Sequence, residues 1–207
     1  MNRVCALLLP VICLAQDAAP PPVEVGAKFS TTVVESRFGT TVADPSRLRG
    51  EIYYVEPGST ALPDFAKLKP VGAIYTNGLN IPQRAFDEGF PGVTDRFEWF
   101  AIDYTGRFTI ANAGRYQFRL ISDDGANLYI DGKKAVDNDG LHPARRKEGS
   151  VKLTPGTHTI RLSYFQGPRE WVALILQIRG PKDGRWKIFN TDEFKGPVDG
   201  GGNTGDR

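Results

Sequence analysis

From residue 51 onward, no window longer than about ten residues keeps the 3.6-residue apolar period of a packed helix. Apolar residues recur instead at every second position, in short runs closed by Gly, Pro, Asn or Asp. Arg115–Ile121 alternates most cleanly. Tyr116, Phe118 and Leu120 point one way and Arg115, Gln117 and Arg119 the other, as in a strand with one buried face. Arg96–Tyr104 sets Phe97, Trp99 and Ala101 on one face, and Glu51–Glu56 is rich in Ile, Tyr and Val. Asn127–Asp131 and Lys134–Val136 flank Asp131-Gly132, a hairpin turn signal. Ser150–Leu153 and Thr157–Phe165 flank a second turn, Pro155-Gly156. Trp171–Ile178 is nearly all apolar and reads as a strand buried on both faces, and Trp186–Phe189 as a closing strand. Short strands with turns every 8–12 residues or so predict an all-β domain, a sandwich or barrel.

The amino terminus sets the compartment. Arg3 precedes the apolar run Val4–Leu14, and Cys13-Leu14-Ala15 puts small residues where a signal peptidase reads. Residues 1–15 are thus expected to be a secretory signal peptide, too short to span a bilayer, which takes roughly 20 residues. Both cysteines, Cys5 and Cys13, lie inside it. The mature chain therefore has no disulfide, no cysteine zinc site and no thiol nucleophile. The expected organisation is a Pro/Ala-rich linker at 16–30, one domain at 31–195 and a disordered Gly-rich tail at 196–207. Residues 31–47 are ambiguous, with one leading strand at Thr31–Ser36. The protein should be secreted or periplasmic, without stable membrane insertion once the signal is removed. A formal net charge of +2 argues against a nucleic-acid partner. Arg145-Arg146-Lys147, followed by Glu148, reads as a solvated loop.

The chemistry concentrates in Ser122–Gly132, where Asp123 and Asp124 sit side by side between two strands. Neighbouring side chains of an extended chain point to opposite faces. Two adjacent aspartates can converge on one ion only if the backbone departs from that geometry, and a cis peptide is one route. Calcium, which takes about 6–8 oxygen ligands, would suit such a pair. A plain polar turn, Asp123-Asp124-Gly125, fits the same residues. Asp137-Asn138-Asp139-Gly140 looks like a calcium-loop fragment but lacks the other ligands of an EF-hand, and reads as a turn. His158 alternates with Ile160 and Leu162 and is expected to be a satisfied core or edge histidine. His142 lies in a loop near Asp139. Two histidines without cysteine make a poor zinc set. No Gly-x-Ser-x-Gly elbow and no phosphate loop occurs.

Residues 48–195 resemble the protective-antigen-type (PA-fourteen) domain, an antiparallel β-sandwich of bacterial toxins, glycosidases and surface proteins and of yeast flocculins. The resemblance rests on six stretches in order. They are Leu48–Tyr54 with Leu62-Pro63-Asp64-Phe65, Phe90–Phe97, Gly114–Phe118, Ser122–Gly132, Val136–Gly140 and Gly156–Phe165. In lectin-like members, an adjacent Asp pair with a cis peptide holds calcium, and calcium binds vicinal sugar hydroxyls. The resemblance implies Asp123 and Asp124 as metal ligands. It makes Gln166, in the loop Gln166–Trp171, the amide ligand where the adhesins use Asn. Asn138, Asp139, His142, Arg169 and Trp171 would line the sugar site, with Trp171 either stacking on a sugar or opening a core strand. The implied function is a calcium-dependent carbohydrate-binding module whose partner is a cell-surface glycan. The alternative is a structural or protein-interaction module that contacts other envelope proteins. Catalysis is not expected, because in glycosidases this domain accompanies a separate catalytic domain.

Overall fold

The computed structural model describes residues 41–93 and 96–196. The expected signal peptide, linker and strand at Thr31–Ser36, and all of the expected tail but Gly196, lie outside the described residues. The strands are β1 (Leu48–Tyr54), β2 (Gly72–Thr76), β3 (Asn80–Ala85), β4 (Phe100–Ile110), β5 (Gly114–Asp123), β6 (Ala126–Ile130), β7 (Lys133–Asn138), β8 (Arg145–Leu153), β9 (Gly156–Gln166), β10 (Trp171–Arg179) and β11 (Lys187–Ile188). Six form one antiparallel sheet, ordered β2-β1-β4-β9-β6-β7. The other sheet runs β11-β10-β5-β8, with β3 also paired to β10. The alternating runs form the all-β domain expected of them, and of the two architectures they allowed it is the sandwich, as the resemblance implied.

The alternation explains the layers. In β5, Tyr116, Phe118 and Leu120 are buried between the sheets. From β4 and β9 come Phe100, Ile102, Tyr104, Leu162 and Tyr164, all at most 1% exposed. The rings of Phe90, Phe100 and Tyr164 pack together, with Phe90 stacked on Tyr164 at 5.0 Å. A smaller apolar cluster joins Tyr53, Val55, Ala101 and Phe165, with Leu62, Phe65, Leu68 and Trp99 against it. Ala101 and Phe165, whose strand neighbours already fill the main core, are thus buried as well.

The hairpin at Asp131-Gly132 forms as expected, with φ of 50° and 73° at its two central residues, the geometry that suits a tight β-hairpin. Pro155-Gly156 carries the chain from β8 to β9, that is, from one sheet to the other. Gly149 of β8 sits so close to β7 that a Cβ there would lie 1.9 Å from the Ala135 carbonyl oxygen, so only glycine fits.

The structure departs from the expected elements in five places. The strand expected at Arg96–Tyr104 starts only at Phe100. Trp99 takes φ of 59°, so the extended backbone stops there, although its N–H and carbonyl still bond to Gly167 and Val55, the next partners in register on β9 and β1. Arg145-Arg146-Lys147 is not a loop but the start of β8, paired to Ser122, Ile121 and Leu120. Asp137 and Asn138 end β7 and are not in a turn. Strands β2 and β3 had no alternating apolar signature and were not anticipated. Trp171–Ile178 forms β10 as expected, and Val172, Ala173 and Leu174 are buried, but Trp171 is 47% exposed.

Candidate functional site

The site lies where β5 ends and β9 gives way to the Gln166–Trp171 loop. The peptide bond between Asp123 and Asp124 is cis. Both aspartates are buried, at 5% and 6% exposure.

Two loops hold Asp124. Its Oδ2 accepts from the Gly167 N–H at 2.9 Å, and its Oδ1 from the His142 N–H at 3.1 Å. Asp123 accepts from the Ala144 backbone N–H. Its Oδ2 is buried and has no hydrogen-bond partner. Burial, and then the Asp124 carboxylate, push the Asp123 carboxyl up to about 6, with Glu170 adding to the repulsion. Burial raises Asp124 too, against the pull of the two N–H donors and the His142 ring. The pair is therefore a buried acidic centre that a cation would relieve.

Glycines let the loops close on it. A Cβ on Gly125 would lie 2.8 Å from Asp139 Oδ1 and 2.9 Å from the Gly140 nitrogen. One on Gly167 would meet Leu141 at 2.5 Å and Asp124 Oδ2 at 3.1 Å. The structure thus brings the Asp139–Ala144 segment and the Gln166–Trp171 loop onto the aspartate pair.

The other expected residues have distinct places. Gln166 is fully buried. Its Oε1 faces the Tyr164 hydroxyl, and its Nε2 donates to the carbonyls of Trp171 at 3.1 Å and Pro168 at 3.4 Å. Its amide therefore ties the loop to the strand. Asn138 is fully buried too, donating from Nδ2 to Ser122 Oγ and the Arg145 carbonyl, while its Oδ1 accepts from Arg145. That side chain is spent inside the fold and supports the site from below. Asp139 Oδ1 accepts from the Leu62 and Gly140 N–H groups. The His142 ring nitrogens lie 2.8 Å from the Asn138 carbonyl oxygen and 2.9 Å from that of Pro143, which pins the ring to its own loop. Arg169 is exposed, 3.5 Å from Glu98 and over the Phe86 ring. Trp171 and Leu141, at 47% and 42% exposure, leave apolar surface near the loops.

Residues that the sequence reading had not singled out complete the arrangement. The Tyr164 hydroxyl, Gly125, Gly167, Leu141 and the backbone of Ala144 all shape it. So does Glu170, whose φ of 140° lies where L-residues rarely go. Among the described residues, no three His, Cys, Asp or Glu side chains are grouped to hold a metal.

The sequence profile of the PA14 domain matches residues 52–188. The chain belongs to the PA14 domain family. No curated protein matches it. Among solved structures, the PA14 domain of the antifreeze protein MpAFP is similar at a TM-score of 0.60 and 17% identity, over 73% of this chain and 92% of that one. The PA14 sugar-binding domain of an RTX adhesin gives 0.56 and 21%, over 70% and 96%. The A domain of epithelial adhesin 9 from Candida glabrata, in complex with Galb1-4GlcNAc, gives 0.53 and 14%, over 76% and 91%. At these identities the likeness establishes the PA14 fold. It corrects nothing in the expected sandwich.

Proposed function

We propose that this PA14 domain is an exported, calcium-dependent carbohydrate-binding module that recognises vicinal hydroxyls of a cell-surface glycan. The observation that carries the reading is the buried Asp123–Asp124 pair with one bare carboxylate oxygen, framed by two loops. The donors are all oxygens, which suits a hard cation such as calcium and not zinc. Asp123 and Asp124 would hold the ion, and calcium would orient two sugar hydroxyls there. With Gln166 turned inward, the remaining ligands would be backbone carbonyls, water and the sugar itself. Trp171, exposed at the strand start, would give the sugar an apolar face to lie on. The RTX adhesin domain is described as sugar-binding, and the Candida domain is bound to Galb1-4GlcNAc, which supports a glycan as partner. Export rests on residues 1–15, and a binding rather than catalytic role on the absence of any recognisable catalytic motif in the sequence.

A glycan array with and without EDTA tests this. Binding abolished by EDTA and by Asp123→Ala or Asp124→Ala is expected, and binding that survives both overturns the calcium mechanism. The second reading is an envelope module that uses the ion for structure alone. The inward commitment of Gln166 and Asn138 favours it. Calcium that raises the melting temperature while no sugar does so would establish that reading instead.

A further inference from the structure

The outer face of the β10-β5-β8 sheet carries an organised cationic array. Directly opposed residues of an antiparallel ladder share a face. The register sets Arg115 against Lys152, Gln117 against Ser150 and Arg179, and Arg119 against Glu148 and Gln177. Arg115, Arg119 and Arg179 therefore surround the Gln117 amide. Arg146 and Lys152 flank them along β8.

The Arg115 and Arg179 guanidinium groups are positioned but not neutralised. Arg115 donates to Ser150 Oγ at 2.8 Å, and Arg179 to Gln117 Oε1 at 2.7 Å. Both partners are neutral, and each contact uses few of the five N–H donors of an arginine. Among the described residues of this face, only Glu148 answers with negative charge, 2.9 Å from Arg119 and 3.7 Å from Arg146. Trp186 stiffens the array, lying 4.2 Å from the Arg119 guanidinium and 4.8 Å from that of Arg179. The face holds five cations and one anion, in a chain whose whole net charge is +2. Arg115 opposite Lys152 is a like-charge pair, which weakens an unliganded ladder.

We propose that this face is a second, calcium-independent binding site, and that its ligand is an acidic polysaccharide carrying carboxylates or sulfates. Fixed guanidinium forks match such groups in a two-pronged way that lysines do not. The flat sheet suits an extended polymer. Among the described residues, the large exposed apolar side chains lie elsewhere: Val42, Val71, Phe97, Leu141 and, at the far end of β10, Trp171. The array thus offers nothing to insert into a lipid surface. It also lacks an open aromatic platform for nucleic-acid bases, because Trp186 is engaged by two arginines.

The test uses the full chain in EDTA, which silences the aspartate site. Polygalacturonate and dextran sulfate are the probes, with neutral dextran, poly(dT) and phosphatidylserine vesicles as controls. Both acidic polysaccharides should bind, and added salt should weaken them. The double variant Arg115→Gln/Arg179→Gln should bind about tenfold more weakly, the loss expected for two charge-assisted contacts, with its melting temperature unchanged. Glu148→Gln should bind more tightly. The proposal is overturned if neither probe binds above neutral dextran, if the double variant binds as well as the parent, or if poly(dT) or vesicles bind better than both polysaccharides.

Discussion

The hydroxyl of Tyr164 lies 2.7 Å from the carbonyl oxygen of Asp123. One residue belongs to the six-stranded sheet and the other ends a strand of the opposite sheet, so this contact ties the two layers together at the aspartate pair. The same hydroxyl faces Gln166 Oε1. Tyr164→Phe keeps the ring packed on Phe90 but removes the one buried O–H that the Asp123 carbonyl and Gln166 Oε1 share. Denaturant unfolding should show a loss of about 1–3 kcal/mol, and any calcium response should weaken with it.

Asp123→Asn should separate charge from shape. The Asp123 carboxyl, held up to about 6 in the fold, titrates near 3.9 or so when unfolded. Between those values the native state binds the extra proton, so without calcium its contribution makes stability fall as the pH rises from about 4 to about 6. The asparagine variant removes this slope. In EDTA at pH 7.5 it should be more stable than the parent by about 1–2 kcal/mol, a figure already reduced for solvent screening. In calcium it should gain nothing, whereas the parent should melt higher. Thermal melts of both proteins, with and without calcium, check all four values.

Gly125→Ala is expected to act through the loop. The added methyl would press on Asp139 Oδ1 and the Gly140 nitrogen. Overpacking of this kind costs roughly 1–3 kcal/mol. The displaced loop would take the His142 N–H away from Asp124. Calcium titration should therefore show weaker binding in a protein that still folds.

His158 and Asp131 form the clearest pH-dependent pair. Burial alone would depress the His158 ring, but its contacts with the Thr154 carbonyl and the Asp131 carboxylate outweigh that and raise it. Burial likewise works against Asp131, whose bonds from His158 and Thr159 still lower it. The histidine's contribution is complete below about pH 6.5 and fades as pH rises through its raised value. The aspartate's is complete above about pH 3.9 and fades as pH falls through its lowered value. The pair should stabilise most between those limits, by about 0.5–1 kcal/mol after solvent screening. His158→Gln should flatten that part of a urea-midpoint profile.

Much of this was legible in the chain. Tyr116, Phe118 and Leu120 announced their strand, Asp131-Gly132 its turn, and His158 its place on a buried face. The same alternation in β9 runs on through Ile160, Leu162 and Tyr164 to Gln166, so it also signals an inward Gln166. Likewise, Val136 and Asn138 share the buried face of β7. Family resemblance drew attention to these side chains as ligands, while period-2 geometry assigned them to the interior. Other features depend on contacts distant in sequence. That Arg145–Lys147 pair as a strand depends on β5, whose outward arginines no local pattern connects to Glu148. Edge strands β2 and β3 carry too few core residues to show a period.

The close approach of Gly149 to the Ala135 carbonyl has a bearing on how these molecules meet one another. An open strand edge is a template on which a stranger's backbone can add. Here β8 crosses β7 so tightly that no side chain fits between them, and midway along β7 that docking line is blocked. Crowded on a surface at high local density, copies of this domain would not zip together along that flank, and a single β-carbon at residue 149 would be enough to prise it open.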